Sequence, residues 1–179
     1  MPVHGVSVAV PEPWGTQLQQ HRAAVGDRLA HAIPPHVTLL PPTDIPTDEL
    51  APFVRHLRAV ASAQAPFTMV LRGTGTFRPV SPVVFVQVAR GIPECERLEQ
   101  AVRGGPVTRA LEFPYHPHVT IAHGIDTPGL DRAFDELAGF EAVFPVDRFH
   151  LYEHGEDEVW RPVREFPLAE GLPGTPAGP

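Results

Sequence analysis

The chain has 179 residues, of which 42% are hydrophobic and 20% charged, enough apolar side chains to form a core. All 14 basic residues are arginines, and the absence of lysine excludes Schiff-base catalysis and P-loop phosphate binding, which both need an amine. A single cysteine, Cys95, excludes an internal disulfide framework and a thiolate zinc cluster. With no signal peptide or membrane-length apolar run in view, we expect a soluble cytoplasmic protein.

The charge is unevenly distributed along the chain. The formal net charge is −7, and residues 91–179 hold seven arginines against sixteen acidic residues. Tight nonspecific binding to a DNA duplex needs many cationic phosphate contacts, so we do not expect it. A small anion can still bind in one local pocket. We expect a monomer.

The first half of the chain alternates strands with helices. The valine-rich segment 3–10 predicts a strand, and Pro13-Trp14 opens a predicted helix that runs to about Val25. The next predicted elements, in order, are a strand over 36–40, a helix over 47–63, strands over 67–77 and 83–88, and a helix over 93–102 that ends at Gly104-Gly105.

The second half replays part of this order. It predicts a strand over 118–122, a helix over 127–138, and two strands over 143–152 and 159–168. The Gly- and Pro-rich residues 169–179 predict a disordered tail, so we expect one domain over 1–168.

A pentapeptide occurs twice. Pro35-His36-Val37-Thr38-Leu39 returns 82 residues later as Pro117-His118-Val119-Thr120-Ile121. By composition, such a second copy is expected in only about one chain in a thousand. Together with the element order, the repeat predicts an α+β fold of two pseudo-symmetric lobes. Each lobe would be an antiparallel sheet with helices on its outer face, and a central cleft would lie between them.

The repeated strands carry the candidate chemistry. Alternate residues of a strand point to one face, so His36 and Thr38 share a face, as do His118 and Thr120. Two histidines on opposite sides of a phosphorus atom can act as general base and general acid, because imidazole titrates near neutrality. The threonine hydroxyls can donate hydrogen bonds to the phosphate oxygens.

The two His-x-Thr-hydrophobic motifs resemble those of the 2H phosphoesterase superfamily, and most closely the 2′-5′ RNA ligase / RNA 2′,3′-cyclic phosphodiesterase family. Gly73-x-Gly75-x-Phe77 is similar to a glycine–phenylalanine strand of that family. The resemblance implies cofactor-free, metal-independent cleavage or ligation of 2′,3′-cyclic or 2′-5′ phosphodiesters, with an RNA end or small nucleotide as partner.

In residue terms, the resemblance implies that His36 and His118 are catalytic and that Thr38 and Thr120 bind the phosphate. Two neighbouring stretches depart from the family pattern. Leu40-Pro41-Pro42 stands where an aromatic residue is common, and Ala122-His123-Gly124 where an arginine is common. Both stretches flank the predicted cleft, so they bear on the substrate more than on the reaction class.

Five further residues are candidates for substrate binding. Tyr115 and Phe77 can stack on a base, Arg78 can reach a phosphate, and His116 and His123 flank the second motif. Two other functions stay open at this point. One is a non-catalytic module that binds RNA ends or nucleotides, and the other is a hydrolase whose metal is held by His116, His118 and His123.

Overall fold

The computed structural model describes residues 2–169, and these contain eight strands and four helices. The strands are β1 Val3–Ala9, β2 His36–Asp44, β3 Phe67–Thr76, β4 Val83–Arg90, β5 His118–His123, β6 Glu141–Val146, β7 Arg148–His154 and β8 Trp160–Pro167. The helices are α1 Trp14–Ala24, α2 Thr47–Ala63, α3 Ile92–Arg103 and α4 Thr127–Glu136.

All eight strands form one antiparallel sheet with two matching halves. The strand order is β6-β3-β4-β5-β2-β1-β7-β8, so β5 and β2, which carry the repeated pentapeptide, lie side by side at the centre. They pair at one position, Val37 with Val119. The predicted α+β class with two pseudo-symmetric lobes is therefore confirmed, and the lobes meet along the two motif strands.

The structural repeat begins one strand earlier than the pentapeptide. The chain runs β1-α1-β2-α2 and then β4-α3-β5-α4, and in each unit the two strands pair antiparallel. Helices α1 and α4 pack against β5, whereas α3 packs against β2 and α2 against β8. Helix α1 follows β1 but packs against β5 in the other half of the sheet, and α3 follows β4 but packs against β2. The two lobes are therefore interleaved.

The single strand predicted over 143–152 is wrong, because Asp147 divides it into β6 and β7. Strand β6 pairs with β3 at one edge of the sheet, and β7 pairs with β1 in the other half. Consecutive Cα atoms lie about 3.8 Å apart, so β6 and β7 can be joined by one residue only if the sheet curls strongly. The alternation of buried and exposed residues shifts by one position at Asp147-Arg148, which are both exposed.

The motif strands bury one face. Val37, Leu39, Val119 and Ile121 are each at most 1% exposed and belong to the main hydrophobic core. Strand β2 continues past its predicted end through Pro41-Pro42 to Asp44, where it pairs only with β1. Proline is tolerated there because the other edge of β2 has no strand that needs an amide donor.

The predicted disordered tail, 169–179, lies outside the described residues except for Ala169. Its amide nitrogen lies 3.1 Å from the carbonyl oxygen of Ala61 and 3.0 Å from that of Gln64. None of the helices in the described part of the chain combines the length and apolar character that a bilayer crossing requires.

Candidate active site

The four motif side chains lie on the face opposite the core, and each is half-buried. Val37 and Val119 are direct partners in the antiparallel pair, so the residues beside them also face one another. This register sets His36 opposite Thr120 and Thr38 opposite His118. Each lobe therefore presents its histidine to the threonine of the other lobe.

The two imidazole rings are held in the same way. Nδ1 of His36 lies 2.7 Å from the carbonyl oxygen of Pro34, and Nδ1 of His118 lies 2.7 Å from that of His116. A carbonyl oxygen can only accept a hydrogen bond, so Nδ1 carries the proton in both rings. Nε2 is then left unprotonated in each neutral ring, available to take a proton from a substrate.

An aromatic ring orients His36. The Trp160 indole of β8 stacks on the imidazole, with centroids 5.0 Å apart and planes inclined by 24°. Gly5 makes room for this indole, because a Cβ atom at that position would lie only 3.0 Å from Trp160 Cη2. The stacked ring restricts the imidazole to one orientation and shields it from water.

His118 has a matching environment in the other half. Its ring meets the edge of Phe77 at 4.9 Å and Phe85 at 5.2 Å between centroids. Gly75 lies directly beneath, where a Cβ atom would come within 2.6 Å of the Phe85 ring. Each half thus places a strand glycine under an aromatic ring that contacts its motif histidine.

Burial shifts both imidazoles toward their neutral forms. It lowers the pKa of His36 to about 4, an effect that the positive charges of Arg22 and of protonated His118 reinforce. Burial also lowers the pKa of His118, and a charged His116 would act in the same direction. In the absence of an anion, both rings are therefore neutral at pH 7.

A buried ion pair supports the end of β5. Arg22 of α1 donates from Nε to Asp27 at 2.7 Å, and both side chains are at most 6% exposed. Asp27 also accepts hydrogen bonds from the backbone amides of Leu29 and His123. Asp27 therefore ties the loop after α1 to the last residue of the second motif strand.

A cleft of about 760 Å³ opens beside the motif strands. Thr38, His118 and Thr120 form part of its wall, whereas His36, opposite Thr120 on the paired strand, is not among the residues that line it. The segment 104–117, which precedes β5, forms much of the opposite wall. Most of the remaining wall is apolar: Leu39, Pro41, Phe77, Val80, Val83, Leu111, Phe113 and Pro114.

Four of the five additional candidates line the cleft, namely Phe77, Tyr115, His116 and His123. The Tyr115 hydroxyl donates to the carbonyl oxygen of Thr38 at 2.7 Å, and burial raises the pKa of this phenol. Tyr115 thus braces the first motif strand and is not free to donate to a ligand. His116 is exposed, and its ring lies 6.2 Å from that of His118.

Arg78, the fifth candidate, is not among the residues that line this cleft. The Arg78 guanidinium is paired with Asp131 at 2.7 Å, and its Nε donates to Thr76, so the predicted phosphate contact would require this pair to break.

Among residues 2–169, no group of three or more His, Cys, Asp or Glu side chains is arranged to hold a metal ion. His116, His118 and His123 therefore do not form the cluster that the metal hypothesis needs.

The sequence did not identify Trp160, Phe85 or Arg109 as residues of the site. Phe85 lies on β4 beside the second motif strand, and Trp160 contacts His36 from β8, with β7 and β1 between them in the sheet, so only knowledge of strand pairing could have placed them. Arg109 donates to the carbonyl oxygen of Pro42 and to Oγ1 of Thr43, which fastens the 104–117 segment to the end of β2. No pattern in that segment predicted this contact.

Comparisons with known proteins show the family and the fold of the chain. The model of the 2′-5′ RNA ligase superfamily matches residues 10–158. A protein of Bacillus cytotoxicus, named "Putative phosphoesterase Bcer98_0945", is 32% identical over 145 residues, which cover 78% of this chain and 81% of the relative.

Two solved structures share the fold. TT0787 of Thermus thermophilus gives a TM-score of 0.67 at 24% identity and covers 95% of this chain and 100% of its own. Escherichia coli LigT complexed with 3′-AMP gives 0.63 at 18% identity, with 95% and 100% covered. At this level of identity, both comparisons describe the fold alone.

Proposed function

The chain belongs to the 2′-5′ RNA ligase superfamily, and from this premise we propose that it is a metal-independent phosphodiesterase. Its substrates would be 2′,3′-cyclic phosphates or 2′-5′ linkages of nucleotides. The observation that carries the proposal is the matched pair of histidines, each with Nδ1 fixed by a backbone carbonyl and Nε2 left free. Two histidine rings in equivalent positions on adjacent strands suit a reaction in which one ring accepts a proton and the other donates one.

In the proposed reaction a water oxygen attacks the phosphorus atom of the cyclic phosphate. One neutral histidine accepts a proton from this water through Nε2. The other histidine, as imidazolium, gives a proton to the ribose oxygen as its bond to phosphorus breaks. The product is a phosphomonoester with a free neighbouring hydroxyl, and the two histidines end with their protonation states exchanged.

The threonines would hold the phosphate during this exchange. Thr38 lies opposite His118 and Thr120 opposite His36, so each hydroxyl can donate to a non-bridging oxygen near the histidine of the other lobe. Such fixed donors stabilise the negative charge that grows on these oxygens in the transition state.

An anionic substrate would also favour the protonated histidine that the reaction needs, with the proton taken up from solvent. Both imidazoles are neutral in the free protein because burial lowers their pKa values. A phosphodiester bound between them adds a negative charge, which raises the pKa of both rings. One ring can then bind a proton, while the repulsion between two positive rings keeps the other neutral.

The same groups would support the reverse reaction. A histidine that protonates a leaving hydroxyl can remove a proton from an attacking hydroxyl when the reaction runs backwards. A 5′-hydroxyl that attacked a 2′,3′-cyclic phosphate would then form a 2′-5′ linkage, with the 3′-oxygen of the ring as leaving group. Ligation thus needs no further residue, although hydrolysis is favoured in water.

Steady-state kinetics on a 2′,3′-cyclic mononucleotide and a 2′-5′ dinucleotide test the proposal. His36→Ala and His118→Ala should each lower kcat by about 10²–10⁴-fold, the usual contribution of a positioned acid or base. The double variant should lose much less than the product of the two, because both groups act on one event. His21→Ala, which changes a histidine of α1, is the matched control and should keep full activity.

Two results would contradict the proposal. Folded His36→Ala and His118→Ala proteins that keep native turnover would remove the acid–base pair from the mechanism. Loss of activity after exhaustive treatment with a chelator, with recovery on adding a divalent metal, would show that the reaction depends on a metal ion.

A further inference from the structure

The composition of the cleft wall bears on the class of substrate. Resting on the proposed function, we infer that the cleft takes a small phosphodiester with one negative charge and one uncharged apolar or aromatic arm, such as a cyclic mononucleotide. An RNA strand with several phosphates would be a poor substrate. The charges of the wall and the position of its exposed apolar side chains support this inference.

The cleft wall has too little positive charge for a polyanion. Its formally charged residues are Arg109, Glu99 and Glu112, and Glu99 is paired with Arg103, so with neutral histidines the wall has no net positive charge. Arg109 already donates to Pro42 and Thr43 on β2. Proteins that follow a nucleic-acid backbone need cationic side chains in series, and this sequence contains no lysine to provide them.

The other arginines near the motif strands are also engaged. Arg78 pairs with Asp131, and Arg22 pairs with Asp27. Arg22 is close enough to His36 for its charge to lower the pKa of the imidazole. With Arg22 and Arg78 paired, the free positive charge at the reacting centre is that of one protonated histidine, which fits a single phosphate.

Exposed apolar side chains concentrate at the same cleft. Val80, Leu111 and Phe113 are 74%, 42% and 61% exposed, and all three line it. They are half of the six large hydrophobic side chains that are exposed within residues 2–169. An apolar patch that rims a polar reacting centre is typical of a ligand-binding surface.

The rim has the geometry needed for the uncharged arm. Phe113 lies on the segment that leads through Tyr115 and His116 into His118, and Val80 lies in the turn between β3 and β4 and lines the same cleft. A phosphate at His118 and Thr120 would therefore place its substituent in a cleft lined by these apolar side chains. A planar base could stack on the Phe113 ring, because neutral apolar surroundings favour an aromatic group over a second phosphate.

The test compares two substrates that end in the same nucleotide. One is adenosine 2′,3′-cyclic monophosphate, and the other is a hexanucleotide whose 3′ end carries the same cyclic phosphate. We expect kcat/KM for the mononucleotide to exceed that for the hexanucleotide by about tenfold or more. Between about 50 and 200 mM salt, kcat/KM for the hexanucleotide should change with a log–log slope no steeper than about −1, as for one phosphate contact.

A variant pair tests the apolar rim. Phe113→Ala should raise KM for the cyclic mononucleotide about 5–50-fold, the range for loss of one stacking contact, with kcat within about twofold of native. Phe113→Trp should restore the native KM. Val143→Ala, which truncates another half-exposed side chain on β6, is the matched control and should leave both constants unchanged.

The outcomes separate this inference from the proposed function. If the hexanucleotide is the better substrate and its salt slope is steeper than about −3, the inference is overturned while the proposed function stands. A native KM in Phe113→Ala would also overturn it. If neither substrate is cleaved, the proposed function fails, and the inference that rests on it fails as well.

Discussion

At the scale of single residues, the account depends on how the two histidines are held. The residue before each is a proline, which favours an extended backbone and directs the preceding carbonyl toward Nδ1. The pentapeptide could therefore predict which face carries the polar side chains. It could not predict the rings of Trp160 and Phe85, which come from strands far away in the chain.

The lowered pKa values determine the expected pH dependence. In the free protein the pKa of His36 is about 4, and that of His118 lies below its ordinary value of 6.5. The acid must hold its proton for turnover, so kcat/KM falls as the pH rises through the upper of these two pKa values. It falls again as the pH drops through the lower one, when the base becomes protonated.

We therefore predict a bell-shaped profile of kcat/KM with its maximum between about pH 4 and 6.5, below the range expected for unperturbed histidines. The profile of kcat should lie at higher pH, because the bound phosphate raises both pKa values. Initial rates across about pH 4–9, a range that brackets both forms of the pair, check this. A kcat/KM maximum above about pH 7 would show that burial does not govern the two imidazoles.

The threonines give a second prediction at this scale. Thr38→Val and Thr120→Val should each lower kcat by about 10–10³-fold, because each removes one donor to the phosphate and keeps the β-branched shape. Thr38→Ser and Thr120→Ser, which keep the hydroxyl, should recover most of the activity. Serine variants as impaired as the valine variants would assign the threonines a packing role only.

At the scale of secondary-structure elements, the two lobes reach a similar arrangement with different strands, because β1 corresponds to β4 in the repeat and not to β3. Gly5 on β1 and Gly75 on β3 lie under Trp160 and Phe85, and each aromatic ring contacts a motif histidine. Without a side chain on the glycine, the ring can lie flat against the sheet. The glycines therefore determine where the rings lie, and the rings orient the histidines.

Gly75→Ala tests this arrangement. The added Cβ atom would lie 2.6 Å from the Phe85 ring, which must move away from His118. We expect the free energy of unfolding to fall by about 1–3 kcal/mol, as in other overpacked cores, and kcat to fall with it. Gly139→Ala is the control, because nothing lies within 4 Å of its added Cβ atom. Urea unfolding and kinetics measure both effects, and equal behaviour of the two variants would contradict the account.

The predicted elements agree well with the structure where hydrophobic periodicity is local. The four helices and the two motif strands begin within about two residues of their predicted starts, a normal margin for element ends. The β6–β7 break at Asp147 leaves a one-residue shift in the hydrophobic alternation, but the strand with which each segment pairs could not be predicted from it. The interleaving of the lobes could not be predicted either, because β1 and β4 show no visible sequence repeat.

At the scale of the whole molecule, the curled sheet brings residues from distant parts of the chain to one cleft. The motif strands meet at the centre of the sheet, Trp160 of the edge strand β8 stacks on His36, and the 104–117 segment lines the cleft beside His118. The acidic net charge of −7 is consistent with a small substrate held in one pocket. Nothing in the composition alone indicated where that pocket would lie.

A crystal structure of the native protein with inorganic phosphate bound tests the central claim most directly. The account predicts a phosphate whose oxygens lie about 3 Å from Nε2 of both His36 and His118, with the hydroxyls of Thr38 and Thr120 donating to the remaining oxygens. Phosphate bound away from one of the two histidines, or held by a metal ion in the cleft, would contradict it.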